Sequence, residues 1–254
     1  ISTLINNRSI NSYTQLGGVI FHRTDRTDIN KAADLKGKKF MAVAENAFDG
    51  WQVSYRYLKD KGIDPYDDFQ ELLFGGRNES VVVAVENGSV DAGCVRTDTL
   101  ESMAREQEID LNDFDIIDPQ EITSEFSLLR TTRLYPEWPL AKAKHTSQDI
   151  AKKVALAMME MPADSVAARF SRSRGWTIPL DYNEVHECLR QLKASPYADF
   201  GTITPDQLYR QYKTWIYVSM ICLVCIFSGV ALVLKLNRRL NTAIVNLDLE
   251  YQQR

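Results

Sequence analysis

Short apolar stretches recur at regular intervals between Lys38 and Asp118, and polar segments separate them. Stretches of four to six residues rich in apolar and β-branched side chains are typical of buried strands. Here they are KKFMAV, FQELLF, VDAG and FDIID, at residues 38–43, 69–74, 90–93 and 114–118. The pattern therefore predicts four strands.

Helical patterns fill the gaps between these strands. One begins at about Gly50 and ends at Gly62, and another covers NESVVVAVENG. A third begins at Asp98, with Glu101 three residues later, which is the spacing of a capping box. Strands that alternate with helices predict a parallel sheet with right-handed crossovers. We therefore expect one complete α/β lobe at about residues 24–122.

The flanking segments are less regular. GGVIFHR (residues 17–23) is predicted to enter the lobe and EFSLLR (residues 125–130) to leave it. Helices are predicted at about residues 147–161, 163–171 and 182–193. We expect residues 1–23 and 123–204 to form the remainder of a second lobe, with too few strands for a sheet of its own. Because the chain begins at Ile1 and ends within a helical pattern, we expect a fragment whose missing strands lie upstream.

An uncharged run of twenty residues, from Trp215 to Leu234, dominates the C-terminal part. As a helix it is long enough to cross a hydrocarbon core of about 30 Å. Lys235 and two arginines follow, which predicts a cytoplasmic C-terminal flank. Residues 1–214 would then be periplasmic, 215–234 a single transmembrane helix in the bacterial inner membrane, and 235–254 the start of a cytoplasmic helix. The alternative is a buried core helix.

Residues beyond the apolar run favour a dimer only weakly. Leu236, Leu240, Ala243 and Leu247 follow coiled-coil spacing over two heptads. An ordinary surface helix explains the spacing equally well, so a homodimer through the membrane and cytoplasmic helices is one of two open alternatives.

Composition excludes some partners. The net charge is −4, and an acidic chain does not favour nucleic-acid binding. Cys94 and Cys188 lie far apart in sequence, and whether they form a disulfide is open. The histidines have no metal-ligand spacing, and no nucleotide-binding or nucleophile motif occurs. We therefore expect no metal, no cofactor and no catalytic residue.

Four segments together carry a family resemblance: DLKGKKFMAVAENAFDGWQ, DAGCVRTDTLE, TRLYPEWP and GWTIPLDYNEVHECLRQL. They resemble the sensing region of membrane histidine kinases with a phosphonate-binding-protein-like (PhnD-like) domain, the tetrathionate-sensor type among them. The resemblance implies an α/β, periplasmic-binding-protein-like clamshell of two lobes, the first incomplete at its N-terminus, followed by one transmembrane helix. It also implies a small anionic ligand in the cleft, a kinase after the membrane helix and a response regulator as partner.

Most candidate ligand-binding residues lie on the turns after the predicted strands, where helix N-termini present free N–H groups to a ligand. Thr132, Arg133 and Tyr135 lie on the return crossing, where we expect them to touch a ligand only when the cleft closes. Arg96 and Arg133 are the leading candidates, because a guanidinium offers forked donors to an oxyanion. Substituting either by alanine should weaken binding and leave thermal unfolding nearly unchanged. For Arg133 the alternative is a hinge ion pair with Glu137. The remaining candidates are Phe48, Asp49, Gly50, Trp51, Arg77, Asn78, Thr97, Thr132 and Tyr135.

The resemblance and the membrane run favour one function. We expect the ligand-sensing and membrane-anchoring part of a two-component sensor histidine kinase, which binds a small anion, for example a sulfur oxyanion, and signals through one helix. The alternative is a membrane-tethered solute-binding protein of an ABC-type phosphonate or anion uptake system. Because no kinase residues occur in this chain, enzyme activity is left open.

Overall fold

The computed structural model describes residues 2–7, 12–201 and 205–252. They form two compact units, residues 1–198 and 199–254, and each is considered by itself. The strands are β1 (Ser2–Asn6), β2 (Gln15–Leu16), β3 (Gly18–Arg23), β4 (Lys39–Ala42), β5 (Glu71–Phe74), β6 (Ala92–Arg96), β7 (Phe114–Ile116), β8 (Tyr135–Pro136), β9 (Pro139–Leu140) and β10 (Ser173–Thr177). The helices are α1 (Val53–Asp60), α2 (Pro65–Asp68), α3 (Asn78–Glu86), α4 (Thr99–Arg105), α5 (Gln148–Met159), α6 (Val166–Phe170), α7 (Asn183–Gln191) and α8 (Pro205–Gln252).

The larger lobe is built on a five-stranded sheet with the order β5-β4-β6-β3-β7. The four predicted strands are all present, and β4 runs parallel to β5 and β6. β3 is antiparallel to both of its neighbours, so the sheet is mixed and not purely parallel as predicted. The alternation of strands and helices fixes direction only for strands joined by helical crossovers, and a long loop joins β3 to β4. β3 thus adds residues 18–23 to the lobe, which we expected to begin near residue 24.

Two apolar cores cover the two faces of this sheet. Alternate residues of β3 point to opposite faces, as strand geometry requires: Val19 and Phe21 pack with α3 and α4, and Ile20 packs on the α1 side. All three side chains are fully buried. The sequence of β3 is apolar without alternation because both faces of the strand are covered.

The smaller lobe contains a sheet that the sequence did not predict. Three antiparallel strands pair in the order β10-β1-β9, next to α5 and α6. The inward positions of β10 are Ser173 and Gly175, both buried. Small residues at the buried positions remove the apolar alternation by which a strand is recognised, and this explains the error.

Two short segments connect the lobes. β2 and β8 pair antiparallel, Gln15 with Pro136 and Leu16 with Tyr135. A pair of crossings was predicted, and the return crossing is β8, which contains Tyr135 as expected. The segment 125–130, which was predicted to leave the lobe in an extended form, lies upstream of β8. In the described chain that segment forms no strand.

The second unit is dominated by one helix, α8, of 48 residues. Within it, Leu208–Thr242 is long and apolar enough to cross a membrane, and it is the single such helix among the described residues. The predicted run from Trp215 to Leu234 lies inside this span. The side chains of Ala243 and Leu247, on which the coiled-coil prediction partly depends, lie outside the described residues.

Candidate functional site

The candidate site lies between the lobes, at the carboxyl ends of β4 and β6. Here a single π-helical turn, Phe48–Gln52, leads into α1. Gly50 in this turn packs so closely on Val43 that a Cβ would lie 2.5 Å from Val43 Cγ2. The turn therefore requires glycine, because no larger residue fits at this separation.

Arg96, at the end of β6, is the centre of a buried ion cluster. Its guanidinium contacts Asp49 at 3.2 Å and Asp98 at 3.4 Å, and it makes a very short contact with Glu137. The Arg96 side chain is only 4% exposed and that of Glu137 is fully buried. Three carboxylates around one guanidinium leave the cluster with an excess of negative charge.

Asn6 ties this cluster to the smaller lobe. Its amide nitrogen, at the end of β1, donates to Asp98 Oδ2 at 3.0 Å and to Glu137 Oε1 at 2.9 Å. Arg96 and Asp98 belong to the larger lobe, and Glu137 lies between β8 and β9. The cluster of Asn6, Asp49, Arg96, Asp98 and Glu137, here called the latch, therefore joins the lobes through charge-assisted hydrogen bonds.

Burial changes the proton affinities within the latch. Desolvation raises the pKa of Glu137, although the nearby Arg96 charge and hydrogen bonds from Arg96 and Asn6 act in the opposite direction. For Arg96, burial alone would lower the pKa, but the carboxylates of Glu137, Asp98 and Asp49 outweigh burial and raise it. The guanidinium thus stays charged, and its charge is already neutralised by its neighbours.

The other predicted site residues do not converge on one point. Thr97 Oγ1 accepts a hydrogen bond from Gly17 N at 3.1 Å, and Thr132 Oγ1 accepts one from Gly18 N at 2.9 Å, so both hydroxyls secure the start of β3. Asn78 Oδ1 accepts from the Arg96 backbone N–H at 3.1 Å. These contacts hold the strand ends in place.

Two predicted aromatic residues lie in the protein interior. Trp51 is buried and stacks on Tyr55, with ring centroids 5.2 Å apart. Tyr135 is also buried; its ring meets Phe48 edge to face, and its hydroxyl accepts from Arg56 at 3.4 Å. Phe48 lines the cavity of about 510 Å³ between the lobes. Trp51 lines an adjoining cavity of about 580 Å³, which shares Asn46, Gln52 and Ser195 with the first.

The remaining two arginines are exposed. Arg77 has a side chain 77% accessible to solvent and lies 3.6 Å from Glu79. Arg133 pairs with Asp60 at 3.2 Å and with Glu184 at 3.4 Å. The hinge pair of Arg133 with Glu137 is therefore wrong, because Glu137 is buried against Arg96 instead.

A cavity of about 510 Å³, here called the interlobe cavity, opens beside the latch. Its wall combines the larger lobe, the crossing strands, α7 and, from the smaller lobe, Pro139 at the start of β9. The apolar lining is Leu16, Phe48, Trp138, Tyr182, Val185 and Leu189, with Pro136 and Pro139 at one side. Three uncharged polar residues complete it: Asn46, Gln52 and Ser195. None of the described residues that line this cavity carries a charge.

Sequence reasoning missed Asn6, Asp98, Glu137 and most of the cavity lining as site residues. Glu137 and Trp138 lie in TRLYPEWP, and Tyr182, Val185 and Leu189 lie in GWTIPLDYNEVHECLRQL. Both segments resemble the corresponding segments of a known family, and this resemblance is the sequence signal that could have indicated these site residues. Cys94 and Cys188 are both free and buried, so they do not form a disulfide.

The comparisons with known proteins agree with this architecture. The family of phosphonate periplasmic substrate-binding proteins of ABC transporters matches residues 3–196. The tetrathionate sensor histidine kinase TtrS of Salmonella typhimurium (strain LT2) is 29% identical over 201 residues, which cover 79% of this chain. The match covers 31% of the kinase, so the chain spans about a third of that relative's length.

Solved structures show the same fold. PhnD1 from Prochlorococcus marinus, in complex with methylphosphonate, aligns with a TM-score of 0.54 and 14% identity over 76% of this chain and 71% of that one. A binding protein component of an ABC phosphonate transporter from Pseudomonas aeruginosa aligns with a TM-score of 0.53 and 12% identity, over 84% and 69%. The chain belongs to the phosphonate-binding, PhnD-like family with a periplasmic-binding-protein-like fold, and it is homologous to the sensor of a histidine kinase.

Proposed function

We propose that this chain is the ligand-sensing and membrane-anchoring part of a two-component sensor histidine kinase. The observation that carries the proposal is the order of its parts: a two-lobed PhnD-like binding region precedes a helix apolar enough to cross a membrane. The similarity to TtrS supports this order. In this proposal residues 1–214 are periplasmic, α8 crosses the inner membrane, and the kinase acts on a response regulator in the cytoplasm.

The mechanism follows from the latch and the cavity. Both lobes contribute to the interlobe cavity, so a ligand there changes the balance between open and closed arrangements. A ligand drives this change only as far as its affinities for the two arrangements differ. The helix then passes the change to the cytoplasmic side, in a homodimer if the residues beyond Lys235 pair.

The resemblance suggests a small anion, such as a sulfur oxyanion, as ligand, and the relative PhnD1 was solved with methylphosphonate. Arg96 is the buried cation at the strand ends, and in the described structure three carboxylates surround it. An oxyanion would bind Arg96 only by displacing at least one of them.

The test uses the complete gene product in nanodiscs. Autophosphorylation from labelled ATP is measured with and without tetrathionate, methylphosphonate and small uncharged compounds. A ligand-dependent change in kinase output, abolished by Trp138→Ala, supports the proposal. Closure of the lobes on a ligand without any change in output contradicts it.

A second candidate is a membrane-tethered solute-binding protein, which the match to ABC transporter binding proteins favours. It predicts a reading frame that stops close to Arg254 and an adjacent transporter gene. A downstream histidine-containing helix pair and ATP-binding domain would exclude it.

A further inference from the structure

Two cavities meet between the lobes, and the groups at their junction indicate how a ligand binds; this inference rests on the proposed sensing function. The interlobe cavity and the adjoining cavity of about 580 Å³ share Asn46, Gln52 and Ser195. We propose that these three residues and Lys193 bind the charged group of an organic oxyanion, whose apolar body lies in the interlobe cavity.

Lys193 supplies the positive charge. It lies two residues after the end of α7, and of the described residues that line the two cavities it is the only cation. Its φ of 51° is in the left-handed region, where glycine or asparagine usually follows a helix, so the turn alone does not account for a lysine. Among the described residues Lys193 makes no ion pair, whereas carboxylates already neutralise Arg96 and Arg133. An anionic ligand can therefore pair with Lys193 without displacing a carboxylate.

Three uncharged groups at the junction can complete the binding of the anion. The side chains of Asn46 and Ser195 make no hydrogen bond among the described residues. The Gln52 amide donates one long bond, of 3.4 Å, to the Glu45 carbonyl oxygen. Asn46 and Gln52 lie between β4 and α1, and Ser195 follows α7, so donors reach the junction from two segments of the chain. Amide N–H and hydroxyl groups replace the water that an oxyanion loses on binding.

The lining of the interlobe cavity defines the rest of the ligand. Beyond the shared donors, its described surface is mainly apolar, with Phe48, Trp138 and Leu189 as large side chains. A volume of about 510 Å³ lies within the range of sites for small organic ligands. An oxyanion with an aromatic or bulky aliphatic substituent therefore fills this cavity better than an oxyanion without one.

Three probes separate the charged group from the apolar body. Naphthalene-2-sulfonate carries both, methanesulfonate carries the charged group with a single methyl, and 2-naphthamide carries the body without a charge. Calorimetric titration of the whole chain in nanodiscs measures each Kd at one ionic strength, because salt weakens exposed ion pairs. We expect naphthalene-2-sulfonate to bind at least about tenfold more tightly than either of the other probes.

Exposed variants assign the two parts of the site. Lys193→Gln should weaken naphthalene-2-sulfonate binding about tenfold and leave 2-naphthamide binding unchanged, because only the sulfonate uses the charge. Lys152→Gln removes the same charge at an exposed position of α5 and should change neither. Glu45→Gln removes the one carboxylate of the described lining and should strengthen sulfonate binding. Trp138→Ala should weaken binding of naphthalene-2-sulfonate but not of methanesulfonate.

The proposal is overturned if naphthalene-2-sulfonate fails to bind, if Lys193→Gln binds it as tightly as the unchanged chain, or if either of the other probes binds equally well. Failure of the sensing function gives a different result. In that case the three probes and the variants bind as expected, and no probe alters the kinase output of the complete gene product. Kinase activation by an oxyanion whose binding is insensitive to Lys193→Gln would retain the function and reject this site.

Discussion

Arg96 is surrounded by carboxylates, and this changes the expectation for its removal. From sequence, Arg96→Ala should affect binding and leave unfolding unaltered. In the structure the substitution leaves Asp49, Asp98 and Glu137 close together without a cation. Breaking a buried pair by removing one partner costs about 3–5 kcal/mol.

We therefore expect Arg96→Ala to lower the free energy of unfolding by that order, measured by urea titration with tryptophan fluorescence. The exposed Arg77 serves as control: Arg77→Ala should change stability by less than about 0.5 kcal/mol. Equal stability of the two variants would show that the latch contributes nothing to folding.

Glu101 gives a second prediction at the residue scale. Its Oε1 accepts from Leu129 N at 2.7 Å, but Oε2 is buried without a partner. Burial raises the pKa of Glu101 above its ordinary value of 4.5. The native state thus binds this proton more tightly than the unfolded chain, and the contribution to stability is lost as pH rises past 4.5.

Glu101→Gln should therefore stabilise the protein at pH 7, by about 1.4 kcal/mol for each unit by which burial raises the pKa of Glu101, because the amide carries no charge to desolvate. At pH 4 the gain should disappear, because the carboxyl is then protonated. Thermal melts at both pH values measure this, with the exposed Glu106→Gln as control. A gain of the same size at both values would contradict the role of ionisation.

At the scale of elements, the apolar runs of the sequence predicted the positions of those strands and helices that form by packing their apolar side chains. The strands of the larger lobe and α5–α7 lie within a few residues of their predicted positions. The capping box was wrong: Asp98 has φ of 79° and makes no side-chain cap, since its carboxylate binds Arg96 and Asn6. Glu101 likewise binds Leu129 instead of its own helix start. The hydrogen-bond partners of both carboxylates include residues that lie far away in the sequence. A local sequence pattern therefore could not predict either interaction.

The π-helical turn gives a prediction at this scale. Gly50→Ala forces a methyl against Val43 and should lower stability by about 1–3 kcal/mol through overpacking. Val43→Ala removes the methyl at 2.5 Å but keeps the Val43 Cβ, which would lie 2.7 Å from the new methyl. The clash is therefore relieved in part, and the double variant should lose somewhat less than the sum of the two single changes. Urea titrations of all four proteins measure the coupling. Strict additivity would show that the turn relaxes without Val43.

At the scale of the whole molecule, we expect the latch to set how easily the lobes of the first unit separate. Asn6 bridges Asp98 and Glu137 at the end of β1. Asn6→Ala removes both bonds while leaving Arg96 paired. We expect faster amide hydrogen exchange at β1 and β9, and unchanged exchange in the interior of the five-stranded sheet. The exposed Asn112→Ala is the control, and equal exchange in both variants would contradict this prediction.

The ends of the strands and the crossings could be predicted from the sequence, but the charges that meet there could not. Strand ends and crossings were visible in the sequence, and Arg96 was correctly recognised as constrained. Which charges meet there depends on Asn6 and Glu137, which lie 92 and 39 residues from Asp98 along the chain. That juxtaposition arises only when both lobes are folded.

Because α8 is one continuous helix, its length determines how the residues at its two ends are oriented about the helix axis. A continuous helix of 48 residues is a rod of about 70 Å that turns by about 100° per residue. One alanine inserted before Trp215 would rotate the residues beyond the insertion by about 100° about the helix axis, relative to the residues before it. An insertion of seven residues would nearly restore the original orientation. If the proposed sensor passes its signal along this helix as rotation, its output should vary periodically with the length of the helix.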